Sequence, residues 1–394
     1  MKHIRSLYTL FLGLFNFFKF RIYDVKKINK ANIVFILPYY HTGGAEKVHL
    51  NIVKALRDQK CCVIFTHLSA TKNHYEDFKK YAAIIELNAI RNKNSNIINR
   101  LLKNAIIKTL NTSKTIHTVF GCNTDFFYKL VPYLKKDLIK IDLLHALSDD
   151  DNSTLSFVNT ADIIDFRVCI NQKAKEDLIL IYNHNNLNQD YTKRIRIIEN
   201  GVAIPKVRSL KIQPKQNITF GFIGRWSDEK RPELFLEVAK HVKAHYPKVA
   251  FVMAGTGMKS NLKQINDAGV SFLGEITNPN KLNTLYKSLT GIIITSKYEG
   301  FPMVIMESMI FGVVPLSTNV GGISQHIAHF KNGIMVDATT DDAIVKAFTK
   351  HISFLIENTT KTQQLANAAQ IYGVSNFSID KFNVAYQNLF NSNS

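Results

Sequence analysis

The spacing of apolar residues changes along the chain. Over residues 3–20 it is helical. At 100° per residue, Lys2, Arg5, Ser6, Thr9, Gly13, Asn16 and Lys19 fall on one side, with Leu12 intruding, while Leu7, Leu10, Phe11, Leu14, Phe15, Phe17 and Phe18 cover the other. This predicts an N-terminal amphipathic helix with a narrow polar stripe and cationic ends, the form of a helix lying in a membrane interface. An uncleaved signal anchor and a helix packed on the protein itself are the alternatives. The apolar run is too short and too interrupted to span a bilayer, and no small-residue cleavage site follows it. Residues 21–31 read as a basic linker.

From residue 32 the rhythm becomes short, β-branched apolar runs separated by helical stretches. The first series of expected strands is Asn32–Leu37, Cys62–Leu68, Ala83–Leu87, Thr115–Phe120, Ile139–His145, Arg167–Ile170 and Arg194–Glu199, with a helix over Ala45–Arg57. A second series is Ile218–Ile223, Val249–Ala254, Val270–Leu273, Gly291–Thr295, Val313–Ser317 and Ile334–Val336. Continuous apolar strands alternating with helices mean parallel sheets covered on both faces. The Asn200-Gly201 to Pro205 turn and the polar stretch after it mark the best boundary. The expectation is an α/β chain of two doubly wound, Rossmann-like domains, 32–204 and 205–394, preceded by the segment 1–31. The tail, 341–390, should be helical with a break near Tyr372–Ser375.

Composition narrows the possibilities. Of 394 residues, 46% are hydrophobic and 21% charged, ordinary for a globular protein with real cores. Fifty Lys+Arg against 31 Asp+Glu give +19, which attracts phosphates and anionic lipid surfaces. No nucleic-acid-binding module accompanies the charge, so no nucleic-acid partner is expected. The four cysteines form no Cys-x-x-Cys pair and no zinc spacing, and read as buried thiols.

The densest chemistry lies in Ser296-Lys-Tyr-Glu299-Gly300-Phe301-Pro302 and the stretch after it, to Pro315. A strand ends at Thr295 and a helix begins near Pro302, with Gly312 able to cap its end. Backbone N–H groups around Gly300–Met303 then form an anion site at the carboxyl end of a parallel strand. Glu299 and Glu307 flank it. Carboxylates beside an anion site are costly unless they bind hydroxyls on either side of the phosphates, as a nucleotide sugar would offer.

A second stretch, Gly221-Phe-Ile-Gly224-Arg225-Trp-Ser-Asp-Glu-Lys230-Arg231-Pro232, follows the first strand of the second half. Arg225 offers a planar fork for phosphate oxygens and Lys230 a mobile point charge. Arg231 is the neighbouring cation that competes with Lys230. A third, His41-Thr-Gly43-Gly44-Ala-Glu46, joins the first strand to the first helix, where glycines let a ligand approach the backbone. There is no Gly-x-Gly-x-x-Gly, which disfavours a dinucleotide oxidoreductase. Asp149-Asp150-Asp151 contains Asp-x-Asp but reads as a solvated loop.

Together these stretches resemble glycosyltransferase family 4, the retaining transferases of the GT-B fold, over roughly residues 32–390. The carriers are Glu299-x7-Glu307 with Gly-Phe-Pro after the first Glu, the Gly224-Arg225…Lys230 segment and Gly43-Gly44-Ala-Glu46. The resemblance implies two domains facing a cleft. Its catalytic set would be Arg225 and Lys230 on the diphosphate, Glu299 on the transferred sugar, and His145, at a strand end, facing that sugar. Donor contacts would come from Gly43, Gly44, Gly224, Gly300, Phe301 and Pro302, with Glu307 on the ribose. Asn200-Gly201 resembles the interdomain hinge, Gly255-Thr-Gly257 a family turn, and Asn319-Val-Gly321-Gly322 a loop near the donor. Gln325 stands where the family usually has Glu.

The implied reaction moves a sugar with retention from a UDP- or GDP-linked nucleotide sugar to a lipid-linked or oligosaccharide acceptor, in surface polysaccharide assembly. No cofactor and no metal are required. The expected location is peripheral, on the cytoplasmic face of the inner membrane, at an anionic membrane surface. A GT-B sugar-nucleotide epimerase and a non-catalytic glycosyltransferase partner subunit are the alternatives.

Overall fold

A computed structural model describes residues 2–88, 90, 96–122, 124–145, 151–205, 212 and 217–391, with the backbone only for 2–10 and 151–153. Asp149 and Asp150 of the Asp-x-Asp stretch, and the side chain of Asp151, lie outside the described residues.

Contacts divide the chain into two units. The first comprises residues 1–170, 174–199 and 382–394, and the second 171–173 and 200–381. The boundary expected at residue 204 is one cut, whereas the contacts exchange two short segments as well.

The first unit holds seven parallel strands, β1 (Ile33–Leu37), β2 (Cys61–Phe65), β3 (Ala82–Glu86), β4 (Thr118–Cys122), β5 (Ile139–Leu144), β6 (Phe166–Cys169) and β7 (Ile195–Ile197). Their order in the sheet is β3-β2-β1-β4-β5-β6-β7. The chain starts at β1, moves to one edge, then returns to β4 beside β1 and moves to the other, with Ile33 opposite Thr118. Strands β1, β2 and β4 are buried along their whole length, which is why they read as unbroken apolar runs.

The second unit repeats the plan with β8 (Thr219–Ile223), β9 (Ala250–Ala254), β10 (Ser271–Phe272), β11 (Gly291–Ile294), β12 (Val314–Thr318) and β13 (Ile334–Val336), in the order β10-β9-β8-β11-β12-β13. Its core joins Phe220, Phe235, Phe251, Ile293, Leu316 and Phe348 across the sheet and its helices. Each sheet reverses direction once, at β1/β4 in the first unit and at β8/β11 in the second. Open parallel sheets bind ligands at the carboxyl ends of the strands that flank such a reversal.

The N-terminal segment departs from expectation. The helix runs over Lys2–Lys19, but the supposed linker is a π-helical turn, Phe20–Asp24, followed by a further helix, Val25–Asn29. Phe20 and Ile28 are fully buried in the first unit's core, and Leu14 and Phe17 pack against it. Phe11, Leu12, Phe15, Phe18, Ile22 and Tyr23 are exposed, so the segment packs on the protein with one side and presents an aromatic side outward. Among the described residues no helix is long and apolar enough to cross a membrane.

The tail also differs in detail. It comprises helices Asp341–Glu357, Thr359–Asn376 and Ile379–Asn391, so the breaks fall at Asn358 and at Phe377–Ser378. Gly373 does not end a helix. A Cβ there would lie 3.0 Å from Met309 Cβ and 3.1 Å from Ile310 N, so this glycine lets two helices approach closely.

Candidate active site

In the second unit, the turns after β8 and β11 meet at the reversal point. Lys230, at the end of the β8 turn, places Nζ 2.7 Å from Glu299 Oε1 and 3.0 Å from Glu229 Oε1. Ser296 Oγ donates to the same Glu299 oxygen at 2.7 Å. Burial alone would pull the Lys230 ammonium down, but the Glu299 carboxylate, helped by Glu229, holds it above its ordinary value. Glu299 is itself buried.

Arg231 is occupied elsewhere. It sits in the left-handed region, φ 48°, where a non-glycine residue needs support. Its guanidinium supplies that support, donating to Thr295 O at 2.7 Å, Ser296 O at 3.2 Å and Asp341 Oδ1 at 3.0 Å. Those bonds tie the helix Pro232–His245 to the end of β11. The two neighbouring cations thus divide their tasks: Arg231 holds backbone, and Lys230 faces a carboxylate.

Arg225 is exposed and makes no side-chain hydrogen bond or ion pair with another described residue. Gly224, before it, donates its N–H to Ala254 O at 3.0 Å. A Cβ on Gly255, whose φ is +140°, would come within 1.8 Å of Gly224 O. The Gly255-Thr-Gly257 turn therefore braces the backbone that carries Arg225.

The Gly-Phe-Pro stretch is held from two sides. Phe301 is buried, its ring 4.3 Å from that of His326 and 5.3 Å from that of Phe377. His326 contacts Tyr372 OH at 3.1 Å through Nδ1, and burial pulls its pKa down to about 4. From the other side, Gly322 N donates to Gly300 O at 2.8 Å and Asn171 Nδ2 donates to it at 3.1 Å. Gln325, in place of the expected Glu, accepts from Gln172 N at 3.2 Å. Pro302 caps the helix Met303–Ile310, and Gly312, at φ +67°, ends it. Glu307 lies inside that helix and accepts from Tyr286 OH at 2.7 Å. Tyr286 is fully buried, and burial followed by the Glu307 charge pushes its phenol well above the ordinary range.

The first unit has its own cluster at its reversal point. Gly43 precedes the helix Gly44–Ala55, with Glu46 folded back so that a Cβ on Gly43 would meet Glu46 Oε2 at 2.0 Å. His41 Nε2 lies 3.4 Å from the other oxygen of that carboxylate. One turn on, the same helix presents buried His49, whose Nε2 is 3.0 Å from Nε2 of His145 at the end of β5. Burial, then the neighbouring His145, pulls His49 well below its ordinary pKa, and burial pulls His145 to about 4. Both rings are therefore neutral near pH 7, one donating and one accepting. Cys122, at the end of β4, completes the group. Its ligand atom and those of the two histidines lie within 4.8 Å of one another, a spacing at which they could hold a metal ion. The thiol is pushed well above its usual range by burial and donates to Leu143 O.

Sequence reading missed three partners. Ser296 stands three residues before Glu299 and could have been read as its donor. His49 lies on the apolar stripe of its helix, with Val48, Ile52 and Val53, where a histidine needs a buried partner. Tyr286 carries no local signal, because it reaches Glu307 from 21 residues away.

Residues 205–371 match the family described as glycosyl transferases group 1. The two parallel-sheet units have the architecture of GT-B glycosyltransferases. HepE of Anabaena, solved in complex with UDP-glucose, aligns with a TM-score of 0.70 and 19% identity over 91% of this chain and 99% of its own.

Two curated relatives give closer sequence likeness over a shorter span. An uncharacterized glycosyltransferase of Methanocaldococcus jannaschii is 28% identical over 197 residues, 45% of this chain and 48% of the relative. An N-acetylgalactosaminyltransferase of Campylobacter jejuni, whose name gives a PP-undecaprenol-linked glycan, is 27% identical over 187 residues, 46% of this chain and 50% of the relative. The chain spans about half the length of each of these two relatives.

Proposed function

We propose that this protein is a retaining glycosyltransferase of family 4. It moves a hexose-type sugar from a UDP- or GDP-linked donor to a lipid-linked or oligosaccharide acceptor, in surface polysaccharide assembly on the cytoplasmic face of the inner membrane. The observation that carries this reading is the Lys230–Glu299–Ser296 group at the β8/β11 reversal, inside the segment that matches the group 1 family.

The chemistry follows from charge. As the bond from the anomeric carbon to the phosphate oxygen lengthens, negative charge grows on the departing diphosphate. Arg225 and Lys230 supply fixed positive charge where it develops, the largest usual contribution to such a step. Glu299 accepts hydrogen bonds from sugar hydroxyls and Glu307 from the ribose, the latter oriented by Tyr286. Gly224 and the Gly300–Pro302 backbone admit the phosphates without side-chain obstruction. The family's front-face attack, in which the leaving phosphate takes the acceptor proton, gives retention without a protein nucleophile.

In the first unit, Gly43 makes room for the Glu46 carboxylate and Gly44 beside it leaves backbone accessible. His49 Nδ1 is buried without a hydrogen-bond partner among the described residues. A bare ring nitrogen tolerates that better than an N–H, since orphaned buried N–H groups are rare. The proton therefore belongs on His49 Nε2, donated to His145, and this leaves His145 with an Nδ1–H to offer a sugar hydroxyl.

Membrane attachment is supported by the outward aromatic side of the first helix and by seven Lys/Arg against one Asp in residues 1–30. The donor class is supported by the UDP-glucose complex of HepE, and the acceptor class by the name of the Campylobacter relative.

The test is a panel of UDP- and GDP-sugars with lipid-linked acceptors, the product's anomeric configuration read by NMR. Retention supports the proposal and inversion overturns the family assignment. An epimerised donor with no transfer favours the epimerase alternative. Transfer should continue in EDTA. Loss on chelation would overturn metal independence and direct attention to His49, Cys122 and His145.

A further inference from the structure

At the amino ends of β2 and β3, on the edge of the first unit opposite its reversal-point turns, lies an open groove of about 370 Å³. Lys27, Lys30, Lys60, Lys79 and Lys80 line it, with Tyr81. Three of these lysines are partly neutralised: Lys27 by Asp24 at 2.7 Å, Lys80 by Asp77 at 2.7 Å and Lys79 by Glu76 at 3.8 Å. Lys30 and Lys60 have no carboxylate in contact among the described residues. Lys27 is further fixed by donating to Ile84 O at 3.1 Å. The groove is therefore a cationic concavity in which Lys27 is anchored to backbone, while Lys79 and Lys80 reach into it as exposed side chains.

The chain that leads into it is apolar and exposed. Lys27 and Lys30 directly follow the segment that shows Phe11, Phe15, Phe18, Ile22 and Tyr23 to the outside. The N-terminal helices pack on the helix Asn96–Thr112, which itself exposes Ile97 and Leu101. Arg21 and Lys26 add charge within the same segment. An apolar surface for acyl chains continuous in the chain with a cationic groove matches one partner, a bilayer containing anionic phospholipid.

We propose that the five-lysine groove is a headgroup site, taking the phosphate of an anionic phospholipid while the aromatic side of the first helix enters the acyl boundary. This rests on the membrane-attachment part of the proposed function and gives it an address. The groove lies at the opposite strand ends from Gly43, Gly44 and His145, so it is an attachment site and leaves the acceptor turn clear.

The experiment is vesicle co-sedimentation of the full chain, with phosphatidylcholine alone and with about 30% phosphatidylglycerol, the anionic component supplying the surface potential. Two variants are compared, Lys30→Gln/Lys60→Gln/Lys79→Gln and Phe11→Ser/Phe15→Ser/Phe18→Ser, with thermal melts confirming both are folded. Each cation near an anionic leaflet contributes about fivefold in partitioning, so the lysine variant should bind phosphatidylglycerol vesicles on the order of 100-fold more weakly. Its preference over phosphatidylcholine should shrink by the same factor, and turnover of a soluble acceptor should stay normal. The phenylalanine variant should lose binding to both vesicle types. A lysine variant that keeps the full anionic preference overturns the groove while leaving membrane attachment standing. A wild-type chain that binds neither vesicle overturns the attachment itself. Release by about 20 mM inorganic phosphate at matched ionic strength would identify a free-anion site instead, since screening is then held constant.

Discussion

Lys230 and Glu299 form a 2.7 Å ion pair across the reversal point of the second sheet, and each neutralises the other. A nucleotide sugar offers both a replacement, phosphate oxygens for the ammonium and hydroxyls for the carboxylate. Lys230→Ala should lower transfer by on the order of 10²–10³. It should also destabilise the fold, because Glu299 would remain buried without its counter-ion. In Lys230→Ala/Glu299→Gln the stability should largely return while activity stays low. Melting curves and initial rates on the single and double variants check both; full activity in a folded Lys230→Ala refutes the assignment.

Arg225→Ala should separate activity from stability cleanly. Its side chain is exposed and unpartnered among the described residues, so the melting temperature should not move, while transfer falls by a similar two to three orders of magnitude. An unchanged rate would remove Arg225 from the site.

Glu299→Gln and Glu307→Gln should fail differently. The first should damage discrimination among sugars and the second binding of the free nucleoside diphosphate. Tyr286→Phe, which removes the 2.7 Å hydrogen bond to Glu307, should follow the second at smaller amplitude. Calorimetry with free nucleotide decides it, equal losses for both glutamate variants being the adverse result.

The histidine pair makes a pH prediction. His145 is held to about 4, below the ordinary value of 6.5 that applies once the chain unfolds. The unfolded chain then binds the extra proton first. Stability from this site is present above about pH 6.5 and is lost as pH falls toward 4. Asp142, pushed up to about 6 by burial against the opposing charge of Arg167, works the other way over part of that range. The check is therefore the difference between wild type and His145→Gln, which should narrow as pH drops from 6.5 to 4. A difference independent of pH would mean that the pair is not neutral.

Phe20 and Phe15 should part company. Phe20→Ala removes a fully buried ring and should cost about 3–5 kcal/mol, whereas exposed Phe15→Ala should stay within about 0.5 kcal/mol. Chemical denaturation measures both, and equal effects would contradict the packing of the segment. For the same reason a truncation through residue 22 is an unsuitable test of membrane attachment, since it excavates the core.

The sheets were legible because parallel strands buried on both faces leave long apolar runs, and β1, β2 and β4 are such runs. The positions of Glu299 and Lys230 were legible because each lies in the turn that follows a strand, β11 and β8 respectively. What composition hid was the second N-terminal helix. Five Lys/Arg between residues 19 and 30 gave the look of a linker, although Phe20, Ile28 and Ala31 supply buried anchors. The tail's breaks were misplaced because Gly373 has the composition of a helix stop but the job of a close contact. His49 with His145 and Tyr286 with Glu307 join residues 96 and 21 positions apart, and only folding brings them together.

The return of residues 382–394 to the first unit has a consequence for synthesis. Phe390 stacks near Phe35 and Phe120, with ring centroids 6.3 and 6.1 Å away, and Gln387 Nε2 donates to Ala55 O at 2.9 Å. These groups leave the ribosome after the entire second unit has been translated, so the first-made sheet waits for its final packing while the later one is already complete. A chain cut after residue 199 would lack Gln387 and Phe390 and would leave the apolar surface at Phe35 and Phe120 without that cover.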